Sequence, residues 1–212
     1  MGKVSVDISI SLDGFVAGPN PSLEDPLGEG GEQLHEWVVA LEAWRKAHGL
    51  EGGETTASSE LVEESLASTG AYLMGRKMFS GGEGPWEDDP NSGGWWGEDL
   101  PFVGPVFVLT HHPREPLTSK GKTMTFVTEG LDAALAQARE AAGERNVAVA
   151  GGADVIQQVL AAGQLDELQV NVAPVLLGGG TRLFDGGAQQ ALELVRVVEA
   201  PGVTHLKYRV TR

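Results

Sequence analysis

The 212 residues carry 30 acidic against 15 basic side chains, a formal charge of -15, and no cysteine. That balance argues against a nucleic-acid backbone or an anionic membrane as partner, since both need basic surface, and the missing thiol excludes disulfides, thiolate nucleophiles and cysteine-ligated zinc. With 41% hydrophobic residues the length suits one domain spanning 1–212; no signal-peptide core or bilayer-length apolar run is visible, so a cytoplasmic location is expected.

Val4, Val6, Ile8 and Ile10 alternate with Ser5, Asp7, Ser9 and Ser11, a period-two strand closed by an Asp13-Gly14 turn that Asp13 shapes. Residues 18–32, rich in Gly, Pro and acids, read as a long loop. Leu34, Trp37, Val38, Leu41 and Trp44 then share one face at helical spacing and predict an amphipathic helix. Ser59 is placed to cap a helix over 60–68. A strand over 71–74 runs directly into Gly75-Arg76-Lys77, a strand-to-helix junction with two cations at its start. Cations there oppose the helix dipole, which favours an anion-binding role over a merely solvated one. Residues 80–105, rich in Gly and Pro, hold Trp86, Trp95 and Trp96 and read as a functional loop or an ordered insertion.

An apolar strand over 106–109 ends at Thr110-His111-His112, and 123–127 is another strand candidate. A helix over 131–142 precedes a strand over 146–150 and a helix over 153–162. The last junction, Val149-Ala150-Gly151-Gly152-Ala153-Asp154-Val155, suits a phosphate-bearing cofactor: glycine lets backbone approach the ligand, and the first turn of the helix presents unpaired N–H groups. Taken alone it serves equally as a tight turn. Beyond it, 167–174 alternates, Gly178-Gly179-Gly180 turns, and strands over 192–199 and 203–211 form a hairpin. This order predicts a three-layer α/β fold, a mostly parallel central sheet with helices on both faces and antiparallel strands at the C-terminal end. Ligands of such sheets sit beyond the carboxyl ends of the strands, where Gly75, Thr110 and Gly151 gather. Adjacent His111 and His112 lack supporting ligand spacing, so no metal is expected.

The series Ser11-Leu12-Asp13-Gly14, Met74-Gly75-Arg76-Lys77, Val108-Leu109-Thr110, Gly151-Gly152-Ala153 and Leu177-Gly178-Gly179-Gly180-Thr181-Arg182-Leu183-Phe184 resembles the dihydrofolate-reductase-like superfamily. Within it, the chain looks like a stand-alone relative of the reductase domain at the C-terminus of the bifunctional riboflavin-biosynthesis deaminase-reductases. The resemblance implies NADPH binding and hydride transfer from C4 of the nicotinamide. It implies that Arg76 and Lys77 meet the 2′-phosphate and pyrophosphate, that Thr110 and His111 flank the 2′-phosphate, and that Gly151, Gly152, Ala153, Asp154 and Val155 wrap the pyrophosphate beside Gly75. Ser9 and Val16 would contact the nicotinamide, and Asn171 corresponds to a polar substrate-side position. Three departures stand out: Met78 replaces a threonine of the strict reductases, Ala150 replaces the glutamate that riboflavin-pathway enzymes place before the paired glycines, and no carboxylate on the first helix aligns with that of folate reductases. His35 and Glu36 are the candidates there, His35 as proton donor, against a solvated helix edge.

Trp37 and Trp44 read as core, with Trp37 bordering the substrate side. Trp86 stacks on a flat heterocycle, pins its loop or fills a subunit interface, and Arg182 either meets substrate or satisfies loop carbonyls. The expectation is an NADPH-dependent reductase of a small nitrogen heterocycle, a 5-amino-6-(5-phosphoribosylamino)uracil-type intermediate or a dihydropterin, working as a homodimer. The alternative is a non-catalytic protein that keeps the reductase fold and binds a nucleotide or heterocycle.

Overall fold

In the computed structural model, which describes residues 2–22, 24–97, 100–187 and 189–211, hydrophobic periodicity resolves into one large sheet between two helical layers. In chain order come β1 (Val4–Ser11), β2 (Phe15–Ala17), α1 (Glu36–Val39), α2 (Glu42–Ala47), α3 (Ala57–Ser68), β3 (Thr69–Gly75), α4 (Arg76–Ser80) and β4 (Val106–Leu109). They are followed by β5 (Leu117–Ser119), β6 (Lys122–Val127), α5 (Leu131–Ala142), β7 (Asn146–Gly151), α6 (Ala153–Ala161), β8 (Glu167–Ala173), β9 (Thr181–Arg182), β10 (Leu192–Ala200) and β11 (Val203–Val210). The sheet order is β10-β11-β8-β1-β7-β3-β4-β6-β5, and β2 pairs with β9 in a separate ribbon. Strands β8, β1, β7, β3, β4 and β6 run parallel, while β11, β10 and β5 are antiparallel additions. The three-layer α/β expectation is therefore met.

The strand alternation decides which layer each side chain joins. Val4 and Val6 of β1, Ala71 and Leu73 of β3, Val147 and Val149 of β7, and Leu168 and Val170 of β8 pack with Leu135 and Ala138 of α5 and Ile156 and Val159 of α6. On the opposite face Tyr72, Met74, Val106, Val108, Met124 and Phe126 meet Phe79 of α4 together with Leu100 and Phe102. Because β3 is covered on both faces, all seven of its residues are buried, as a strand inside a parallel sheet requires. Towards β1, β8 and β11 that second face becomes polar, with Ser9, Asn171 and His205 buried on it.

The helix expected through residues 34–44 is broken into a 3-10 turn (Gly31–Leu34), α1 and α2. The backbone explains the break: Leu41 is extended at φ -74, ψ 138, Glu54 N donates to Ala40 O, and Glu42 N donates to Glu54 O, so a strand-like partner replaces helical bonds. Helix α3 starts earlier than expected because Thr56 is its cap; Ser59 is the reciprocal member of that capping box. Strands β2, β5 and β9 are too short for alternation to reveal. The Trp-rich segment is folded onto its own chain, with Trp86 and Trp96 packed against the second core.

Leu73 is fully buried at the sheet centre. Leu73→Ala is expected to cost about 2–5 kcal/mol of folding free energy, read from the urea midpoint; a loss of less than about 1 kcal/mol would contradict this core assignment.

Candidate functional site

Parallel strands that all enter the sheet from one side must all leave at the other, so the loops after β1, β3, β4, β6, β7 and β8 share an edge. At that edge β3 and β7 end against each other: Met74 pairs with Gly151 after a bulge that leaves Ala150 unmatched. A Cβ on Gly75 would crowd Val155 Cγ2 at 2.9 Å and stand in van der Waals contact with Gly152 N at 3.8 Å. Gly151, at φ +133, takes a conformation open to glycine, and a Cβ there would come 3.0 Å from Met78 Sδ. The Gly151–Gly152 peptide bond is cis. A Cβ on Gly152 would meet nothing within 4 Å, so this residue borders open space.

Gly152 is also the N-cap of α6, and no side chain caps the helix. The N–H groups of its first turn are left to a ligand or to water. Ala153 and Val155 are buried, with Val155 against Gly75, so only their backbone can face a ligand; Asp154 is exposed. Thr110 is buried, and its hydroxyl accepts from His112 N at 3.2 Å; His111 beside it is exposed. The exposed Lys77 pairs with Glu83.

Arg76 turns inward. Its guanidinium donates to Ser80 Oγ, to Asp89 Oδ2 at 2.5 Å and to Gly84 O at 3.3 Å, and lies 3.4 Å from the centre of the Trp86 ring. Trp86 donates its indole N–H to His112 O at 2.8 Å and packs edge-on against Phe79 and Phe126. These contacts tie Trp86 to its own chain. Arg182 likewise donates to Asp13 O at 3.1 Å and covers the Phe15 ring at 4.4 Å. Asp13 receives N–H bonds from Leu177 at 3.1 Å and Gly178 at 2.8 Å; with a Ser11 hydrogen bond leading, these hold its carboxyl below the usual range.

The polar face of β1 and β8 forms a second wall. Ser58 Oγ lies 2.8 Å from His205 Nε2, His205 Nδ1 lies 2.7 Å from Asn171 Oδ1, and Asn171 Nδ2 donates to Asp7 Oδ1 at 2.7 Å. This sequence fixes the neutral tautomer with hydrogen on Nδ1. Gln169 Nε2 donates to the other Asp7 oxygen at 3.2 Å, and Asp7 faces a cavity of about 40 Å³ shared with Ser5, Ser65 and Lys207. Desolvation by the surrounding side chains acts to raise the Asp7 carboxyl pKa, but Asp7 stands at an accessible position of β1 and its Asn171, Gln169 and Ser65 hydrogen bonds oppose the shift. Trp37 closes the wall: its indole N–H donates to Ser9 Oγ at 3.1 Å and its ring stands edge-on to His205 at 4.9 Å. It is half-buried, not core as expected; Trp44 stacks on His48 at 3.7 Å.

Val16 packs partly against the first core, and Glu36 is exposed. His35 follows the 3-10 turn that contacts β1, β2 and β8; its Nδ1 is buried without a partner, and burial lowers its pKa against a Gly31 backbone hydrogen bond. The structure thus brings Gly75, Gly151, Gly152 and the α6 terminus together, and places Ser9, Trp37 and Asn171 on one polar wall, apart from exposed Glu36. Asp7, His205 and Ser58 were missed, though Asp7 shares the parity of Ser9 in the opening strand.

A family model described as the RibD C-terminal domain matches residues 2–206. The chain belongs to the RibD C-terminal domain family. Its fold is also that of a protein from Shewanella sp. PV-4 assigned to riboflavin biosynthesis, at TM-score 0.64 and 19% identity over 100% of both chains. Acinetobacter baumannii RibD matches at TM-score 0.59 and 18% identity, covering 100% of this chain and 59% of that one. Dihydrofolate reductase from Enterococcus faecalis, complexed with NADP(H), matches at 0.50 and 16%, over 100% and 98%. An uncharacterized Bacillus subtilis (strain 168) protein, YwjB, is 33% identical over 69 residues, 32% of this chain and 39% of its own length. The chain therefore spans well under half of that curated relative.

Burial, helped by the charge of Arg196, lowers the His205 pKa to about 4. An unfolded histidine titrates near ~6.5, so the unfolded state takes up a proton that the folded state refuses. The stability due to neutral His205 is complete above about pH 6.5 and is lost as pH falls towards about 4. The expected result is that unfolding free energy falls across this window more steeply in wild type than in His205→Gln; equal slopes would contradict it.

Proposed function

We propose that this RibD-family domain is a reductase that takes hydride from reduced nicotinamide dinucleotide, NADPH in the form the family resemblance implies. The acceptor would be a small nitrogen heterocycle, an aminouracil of the riboflavin pathway or a dihydropterin. One observation carries the proposal: the cradle of Gly75, Gly151 and Gly152 at the uncapped start of α6. It fits a pyrophosphate, because a close-approaching backbone and free N–H groups suit an anion even on a strongly acidic chain. When bound, the coenzyme supplies the hydride.

The residues of the chain bind, orient and exclude water. Backbone groups of Gly151 to Val155 would hold the pyrophosphate, with Lys77, Thr110 and His111 at the adenosine end. Ser9 and Val16 would border the nicotinamide. Asn171 would stand on the substrate side, its amide held by His205 and Asp7. Such fixed polar groups orient a heterocycle before reaction, which is where most of the protein's contribution lies. His35 is neutral at pH 7 because burial depresses its pKa, which counts against it as the proton donor. Homodimerisation and a cytoplasmic location belong to the same proposal; among the described residues no helix is long and apolar enough to cross a membrane.

A second reading, binding without turnover, draws on Trp37, whose indole already covers Ser9 and His205. Turnover separates the two. Oxidation of NADPH or NADH that depends on the aminouracil or a dihydropterin supports a reductase, whereas coenzyme binding with no oxidation supports the second reading. Gly152 has φ -75, allowed to any residue, and its Cβ direction is open. Gly152→Ala should therefore shift Tm by only a few degrees yet weaken coenzyme binding about tenfold or more. Unchanged affinity would place the pyrophosphate elsewhere.

A further inference from the structure

Trp37 is a large aromatic on an element that is otherwise poorly held. Helix α1 is four residues long and has no buried residue, while Leu34 before it and Leu41 after it are 0% and 2% exposed. Those two anchors fix the ends of the turn, and the backbone bonds between them are local: Val39 N donates to His35 O and Ala40 N to Glu36 O. The backbone at Leu41 is extended and already breaks the helix. At the entry to the turn His35 Nδ1 is buried without a partner, so the observed position leaves unsatisfied a polar atom that movement of the turn would return to water.

What the indole covers is polar. Ser9, Asn171 and His205 are register neighbours near the carboxyl end of β1 and are 6%, 2% and 2% exposed. The half-buried Trp37 lies against the first and last of them, with its N–H on Ser9 Oγ at 3.1 Å and its ring edge-on to His205 at 4.9 Å. Both ring nitrogens of His205 are committed, Nε2 to Ser58 and Nδ1 to Asn171, so the histidine offers an aromatic surface there. Directional recognition falls to Ser9 Oγ, which accepts from a ring N–H. A flat, fused-ring system with one N–H donor is thus already seated on this wall, and it is a side chain of the protein itself.

We propose that Trp37 is an internal stand-in for the acceptor: its indole holds the place of a planar, fused-ring heterocycle that donates a ring N–H to Ser9 Oγ, and α1 swings away when that heterocycle binds. The proposal rests on the reductase reading above and narrows its acceptor to fused-ring heterocycles, of which a dihydropterin is one and a single-ring aminouracil is not. A single ring spans only part of the indole footprint and leaves part of the wall uncovered once Trp37 departs. Because indole and ligand compete for one place, the affinity of the wild-type chain is reduced in proportion to the fraction of molecules that stand open.

The test is a titration of the isotope-labelled full chain with dihydropterin and, separately, with diaminouracil, following the tryptophan indole N–H signals by NMR; Trp37→Phe assigns the Trp37 signal. Dihydropterin should move that signal into rapid exchange with water and should bind about tenfold or more tightly than diaminouracil. Trp37→Ala empties the place and should bind dihydropterin about tenfold more tightly than wild type, the opposite of what losing a merely structural tryptophan would do. Trp37→Phe keeps a ring beside His205 but gives up the N–H, and its affinity should fall between the two. Dihydropterin binding that leaves the Trp37 signal unmoved overturns the proposal, as does equal or weaker binding by Trp37→Ala, a preference for diaminouracil, or no binding by wild type and variants alike. Should Trp37→Ala not fold, the wild-type signal and Trp37→Phe decide. Displacement of Trp37 without oxidation of NADPH or NADH overturns the reductase reading and leaves a heterocycle site, whereas oxidation with Trp37 unmoved overturns this proposal alone.

Discussion

The closeness of β3 to β7 where both strands end governs the rest of the functional edge. Gly75 and Gly151 let two parallel strands stop in contact, with Val155 of the following helix filling the space that a Gly75 side chain would need. A side chain at Gly75 would crowd Val155 Cγ2 at 2.9 Å, so Val155 or the start of α6 would have to shift. The parallel sheet supplies the location, because its strands all exit at one edge. The missing side chains supply the approach.

The two halves of the sheet face different tasks. On the α5 and α6 side the core is continuous and apolar. On the other side, apolar packing under α4 gives way to the chain of Ser58, His205, Asn171 and Asp7 under α3. Ser58, His205 and Asn171 are buried, and buried polar groups are tolerated only when each finds a partner; here each bond orients the next, ending on Asp7 at an accessible position of β1. Such a wall is rigid and directional, which suits recognition of a polar heterocycle better than an apolar lining would. Trp37 ends it at Ser9.

Much of this architecture was legible in the chain. The period-two alternation of β1, the apolar run of β4 and the helix of α5 follow from burial on one face or two, and Gly75, Thr110 and Gly151 do converge after parallel strands. What the chain concealed are long-range choices. Leu34 to Trp44 have helical spacing, but Glu54 takes the backbone bonds of Ala40 and Glu42 and breaks the helix. Arg76 looks like a free cation until Asp89, in a Gly- and Pro-rich segment without periodicity, is found on it. His205 gave no signal of its own, because its meaning comes from β11 lying beside β8.

The central claim is that the glycine cradle before α6 is where a nicotinamide dinucleotide binds. Amide hydrogen exchange of the wild-type protein with and without saturating NADPH tests it most directly. The account predicts added protection at Gly151 to Val155 and at the Gly75 junction, with none along β10 at the far side of the sheet. Binding that leaves the Gly151 to Val155 amides unprotected would contradict it.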